Sequence, residues 1–93
     1  MEKDKITKDQ AIVLIGNKEY IHTLRDSGFG SWGADINRED LIDNFNKYED
    51  SLELSGKTAR GMNHGLVMKD SIGYLFIETD EEALCEIEER LNS

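Results

Sequence analysis

The ninety-three residues predict a single small α+β domain, numbered 1–93. An antiparallel or mixed sheet of about four strands with about three helices is expected, in the order α-β-α-β-β-β-α. Three observations carry this. Leu66-Val67-Met68 and Tyr74-Leu75-Phe76-Ile77 are nearly continuous apolar runs on either side of a turn-like tetrad, Asp70 to Gly73. Two other segments, one before and one after these runs, carry apolar stripes at helical spacing behind polar caps. Nothing in the chain reads as a linker, a repeat or a low-complexity stretch.

Element by element, the chain opens with residues 1–6, which are expected to form a disordered tail. Thr7-Lys8-Asp9-Gln10 has the form of a capping box, in which a hydroxyl and an amide side chain satisfy each other's backbone donors. Ala11, Ile12, Leu14 and Ile15 then give a helical face, and Gly16-Asn17 would end it, so a helix is expected over 8–16. A hairpin over residues 11–24, turning at Gly16-Asn17, is the rival, and Val13 on the back of the helix favours it. Glu19–Arg25 reads as a strand. Ser27 to Ala34, with glycines around Phe29 and Trp32, reads as a loop whose aromatic side chains anchor it.

Asn37 with Asp40 opens a second helix, with Leu41, Phe45 and Tyr48 on one stripe and Ile42 at its edge. Leu52 to Leu54 alternates as a short strand would. Gly56 to Asn63 reads as a connection. Gly65–Lys69 and Gly73–Glu78 read as adjacent central strands with both faces at least partly covered. Thr79-x-x-Glu82 is a second capping box, and Leu84, Ile87 and Leu91 give the last helix its stripe, with Ala83 near the edge.

Charge is the strongest functional signal. The chain carries a formal net charge of −9, and residues 78–93 hold seven carboxylates against one arginine. On the helical wheel Glu82, Glu86 and Glu89 lie opposite the apolar stripe, with Glu81 and Glu88 nearer its border. Concentrated negative charge repels nucleic acid and acidic membranes and attracts basic protein surfaces. The acidic side chains near the helix start are favoured by its dipole, but Glu86, Glu88 and Glu89 lie late in the helix, where the dipole disfavours them. Local stability does not account for them.

Two readings follow. The face is a solubilising surface, or it binds a basic partner such as a nucleic-acid-binding protein, whose lysines and arginines it would occupy as phosphates do. The expected binding residues are Glu81, Glu82, Glu86, Glu88 and Glu89, with Trp32 as an aromatic anchor. The function expected is a small acidic protein-binding module, an inhibitor or nucleic-acid mimic. A homo-oligomeric assembly protein and a small-molecule-binding domain, with its pocket between the sheet and the Phe29–Trp32 loop, are the alternatives. A homodimer would add buried area to a modest core.

Candidate chemistry is sparse. His22 and His64 lack metal-ligand spacing with each other or with Cys85, and the glutamates around Cys85 blunt a thiol's reactivity. Asp35, Asn37 and Glu39 alternate like the start of a calcium loop, but Asp40 stands where its glycine belongs and Asn46 where its glutamate belongs. Gly28 to Gly33 resembles a phosphate loop only in its glycines. Lys57 to His64 is the one locally basic stretch, suited to a contact with the acidic helix. No catalysis, no metal and no cofactor are expected, nor direct binding of nucleic acid or membrane. A single cysteine and the absence of a leader or membrane span lead to the expectation of a cytoplasmic protein. In composition the chain resembles small acidic α+β domains carried by phages and mobile elements.

Overall fold

The computed structural model describes residues 5–59 and 62–92, with side chains for 5–56 and 63–91. Its elements are α1 (Lys8–Ile15), β1 (Tyr20–Asp26), β2 (Ser31–Asn37), α2 (Arg38–Lys47), a 3-10 turn at Glu49–Ser51, β3 (Glu53–Ala59), β4 (Met62–Lys69), β5 (Tyr74–Ile77) and α3 (Glu81–Asn92). The α+β expectation holds, with five antiparallel strands in the order β2-β1-β5-β4-β3.

Thr7 caps α1 as its sequence demands. Its hydroxyl accepts from the Gln10 N–H at 3.1 Å, and Gln10 Oε1 accepts from the Thr7 N–H at 2.8 Å. The hairpin alternative over 11–24 is thereby replaced by a helix and a strand. Asn37 caps α2, its side chain accepting from the Glu39 N–H at 2.9 Å.

Cross-strand partners share a face of the sheet. One row runs Ala34–Thr23–Ile77–Leu66–Leu54 through all five strands, and a second runs Trp32–Arg25–Leu75–Met68. This face meets the helices. Leu14 and Ile15 of α1, Leu41 and Phe45 of α2, and Leu84 and Ile87 of α3 join Ile21, Leu66, Met68, Leu75 and Ile77 in one buried cluster. Thr23 is fully buried within it, and its hydroxyl donates to the Ala34 carbonyl at 2.8 Å. The other face shows Gly33–Leu24–Phe76–Val67–Glu53 and, beside it, Ser31–Asp26–Tyr74–Lys69. No described helix lies over it. The central strands are nevertheless partly covered on this face too, as expected: Leu24, Val67 and Phe76 are half-buried.

Four expectations change. The segment 27–34 is a loop only as far as Gly30, because Ser31 onward pairs in register with β1 as an edge strand. Phe29 is fully exposed and anchors nothing. Residues read as a connection from Gly56 lie largely in the β3–β4 hairpin, with an irregularity between Leu54 and Lys57. Ile6, expected in a disordered tail, is buried and donates its N–H to the Leu52 carbonyl at 3.2 Å, while Lys5 bridges Glu53. Residues 1–4 of that tail lie outside the described residues.

One ion pair ties two turns together. Arg25 Nη1 on β1 donates to both oxygens of Asp70, at 2.7 and 2.8 Å, and both side chains are largely buried. Asp70 Oδ1 also accepts the N–H groups of Ile72 and Gly73, which shapes the β4–β5 turn. Gly73 has φ +155°, and a Cβ there would lie 2.5 Å from the Asp26 carbonyl oxygen, so only glycine lets the two turns approach. Burial pushes the Asp70 carboxyl up. The hydrogen bond from Arg25, the two amides and the Arg25 charge outweigh burial and hold it below its ordinary 3.8.

A carboxylate with a lowered folded pKa stabilises fully above its unfolded value, and that stability is lost as pH falls through the folded one. Asp70→Asn should lower stability near neutral pH by roughly 2–4 kcal/mol in urea titrations. The gap from wild type should close as the pH falls below 3.8.

Candidate functional site

The acidic helix is oriented by its apolar stripe. Leu84 and Ile87 are buried, and Ala83 and Leu91 are half-buried. Leu84 seats where β4 has no side chain: a Cβ on Gly65 would lie 2.6 Å from Leu84 Cδ2 and 2.8 Å from Thr79 Oγ1. With that face inward, Glu81, Glu82, Glu86, Glu88 and Glu89 are all exposed.

The expected capping box is displaced by one residue. The Leu84 N–H donates to the Asp80 carbonyl at 2.9 Å, and Asp80 Oδ1 accepts from the Glu82 N–H at 3.3 Å, so Asp80 occupies the N-cap position. Thr79 is buried instead, and both its N–H and its hydroxyl donate to the Asn63 carbonyl. The Asp80 N–H donates to the Leu14 carbonyl at 2.7 Å, which fixes the start of α3 to α1.

Not every carboxylate of this segment is available. Glu78 pairs with Lys18 at 3.2 Å, and Asp80 is used as the cap. Glu86 pairs with Arg90 at 2.8 Å one helical turn on, but both side chains are mostly exposed, so the pair is worth little. Among the described residues, Glu81, Glu82, Glu88 and Glu89 have no basic side chain at ion-pair distance. The helix face thus carries negative charge that the described part of the chain does not neutralise.

Beside it runs a shallow groove of about 360 Å³ between α1 and α3, lined by Asp9, Gln10, Val13, Glu86, Ile87 and Arg90. Val13 is 56% exposed at this groove. Its position on the back of α1, which argued for a hairpin in sequence, places an apolar contact point between Asp9 and Glu86. No local pattern announced that α1 and α3 would lie side by side.

Trp32 is elsewhere. It sits on the edge strand β2, opposite Arg25 and 52% exposed, while α3 packs beside α1. The structure does not join it to the carboxylates. The pocket expected between the sheet and a Phe29–Trp32 loop is not built that way, since Trp32 belongs to a strand and Phe29 projects into solvent. The Lys57–His64 stretch meets the segment just before α3, where the Asn63 carbonyl accepts from the N–H and the hydroxyl of Thr79. The side chains of residues 57–62 lie outside the described residues.

Sequence reasoning also missed a histidine pair. The rings of His22 and His64 lie 5.9 Å apart, and His22 Nδ1 is 3.0 Å from Asp35 Oδ1. Among the described residues no three His, Cys, Asp or Glu side chains are placed so that they could hold a metal ion together. No described helix is long and apolar enough to cross a membrane. Cys85 is exposed.

Comparison of the chain with protein-family models, with curated proteins and with solved structures finds no match in any of the three.

The seating of α3 and its charge are separable. Leu84→Ala should cost roughly 2–4 kcal/mol in urea unfolding, since it empties a buried position in the core. Glu82→Gln should stay within about 0.5 kcal/mol of wild type in the same assay.

Proposed function

We propose that the protein is a small acidic binding module that presents the carboxylate face of α3 to a basic surface on another protein, with a nucleic-acid-binding protein as the favoured class of partner. The observation that carries this reading is the outward, largely uncompensated set Glu81, Glu82, Glu88 and Glu89, continued by Glu86 at the α1–α3 groove. Lysine and arginine side chains reaching this face would exchange solvent for carboxylates at helical spacing. An apolar side chain of the partner could rest on Val13, with Asp9 and Glu86 flanking it. Inhibition would follow wherever the occupied basic groups are those that neutralise phosphates. In this reading the module is non-catalytic and works without metal or cofactor.

Screening by salt weakens such contacts between exposed charges. Affinity for a basic partner should therefore fall between low and moderate ionic strength. Simultaneous reversal, Glu82→Lys with Glu86→Lys, should abolish partner recovery in a pull-down and leave the thermal unfolding curve almost unchanged. Recovery of the same partner by the doubly reversed protein would remove the proposal.

A further inference from the structure

The two edges of the sheet are not equally guarded. Unpaired strand edges are templates for another strand, and proteins protect them with bulges, lysines, prolines or covering segments. On β3 the register breaks between Leu54 and Lys57, Gly56 there has φ +68°, and Lys5 bridges its first residue, Glu53. On β2 there is none of this. Ser31 to Asn37 pairs with β1 without a break, contains no lysine or proline, and is exposed from Ser31 to Asp35. Its one charged side chain is Asp35.

The direction of its free backbone groups follows from the flanking bonds. Ser27 N–H donates to the Gly30 carbonyl, and Arg38 N–H donates to the Glu19 carbonyl, in the same register as β1–β2. Alternation along an antiparallel pair then aims the N–H and C=O groups of Trp32, Ala34 and Ile36 at β1. Those of Ser31, Gly33 and Asp35 point away from the sheet, as does the N–H of Asn37, whose carbonyl opens α2.

We propose that β2 is the docking edge for a second copy of this chain, paired antiparallel with its own counterpart about a two-fold axis through Ala34. The strand's own sequence selects this register. Ala34 faces Ala34 of the second copy as a non-hydrogen-bonded pair, the close spacing that small side chains suit. Trp32 faces Ile36 of the second copy on the helix side of the sheet, and by symmetry Ile36 faces its Trp32. On the other side Asp35 faces Gly33, and Ser31 faces Asn37, so the outward groups of Gly33 and Asp35 pair fully, the Asn37 N–H meets the Ser31 carbonyl, and no like charges oppose. Shifting the axis to Asp35 would set two carboxylates against each other, which is unfavourable. Shifting it to Gly33 would leave Asn37 unpaired. The Ala34 register also sets Gly30 opposite Arg38 of the second copy, bringing the exposed Phe29 turn beside the start of its α2.

The interface uses a different element from α3, so it stands apart from the function proposed above. Salt separates the two: copies that are each strongly negative repel at long range, so self-association should strengthen with added salt, whereas binding to a basic partner should weaken. One pair of edge strands makes a small interface, so the dimer should be concentration-dependent.

Sedimentation equilibrium over a range of protein and salt concentrations tests this. Wild type should shift from monomer to dimer as either rises. Ala34→Glu, at an exposed position, sets two carboxylates face to face and should weaken dimerisation roughly a hundredfold or more. Ala34→Cys in a Cys85→Ser background should form a covalent dimer under glutathione disulfide, the two thiols being oxidised to one disulfide as the glutathione is reduced. That readout holds even should Ala34→Glu disturb folding. A wild type that stays monomeric at its highest soluble concentration and raised salt overturns the proposal. So does a dimer in which Ala34→Cys gives no crosslink.

Discussion

This sheet buries apolar side chains fully on one face only, and the rest of the molecule follows from that. A single apolar layer lies between three helices and five strands. Each helix must turn its stripe into that layer, so whatever lies on the opposite side of the helix goes to solvent. For α3 this leaves no choice: Leu84 and Ile87 go in, and the glutamates go out. Gly65 makes the seating close, since a side chain there would occupy the volume of Leu84 and Thr79. The acidic surface is thus a consequence of core packing as much as of composition.

Polar contacts hold the frame at both ends of the strands. At one end Arg25 and Asp70 link β1 to the β4–β5 turn, with Gly73 permitting close approach to Asp26. At the other, Lys18 meets Glu78, Arg38 Nε donates to the Gly16 carbonyl, and Asp80 is tied to Leu14. Glu78 gives its carboxylate to the first of these, and the Asp80 carboxylate caps α3 by accepting from the Glu82 N–H. Glu78 and Asp80 are thereby engaged within the fold, and the Asp80–Leu14 bond fixes the start of α3, so that the glutamates offered to the proposed partner stand on an ordered element. Binding energy is then not spent on ordering a flexible tail.

Sequence showed what depends on local chemistry. Thr7 with Gln10, Asn37 as a cap, the Asp70–Gly73 turn and the α3 stripe all lie within a few residues of their partners. It hid what depends on the sheet. Most of β2 is exposed and carries glycine, so it lacks the buried alternation that marks a strand and looks like a loop. The β3–β4 hairpin was obscured by Gly56 and Gly61, which read as breakers. Thr79 lost its capping role because a distant carbonyl, that of Asn63, claimed its hydroxyl, and Asp80 took its place. The candidate site was legible as a set of glutamates. Its groove was not, because Val13 and Asp9 meet Glu86 only through the packing of α1 on α3.

The most direct test of the charged face is an amide-resolved NMR titration with a lysine- and arginine-rich peptide, run at low and then raised salt. The account predicts shifts concentrated on residues 81–90 and on Asp9 to Val13, fading as salt is added. Shifts centred on the opposite sheet face around Leu24 and Phe76, or insensitive to salt, would contradict it.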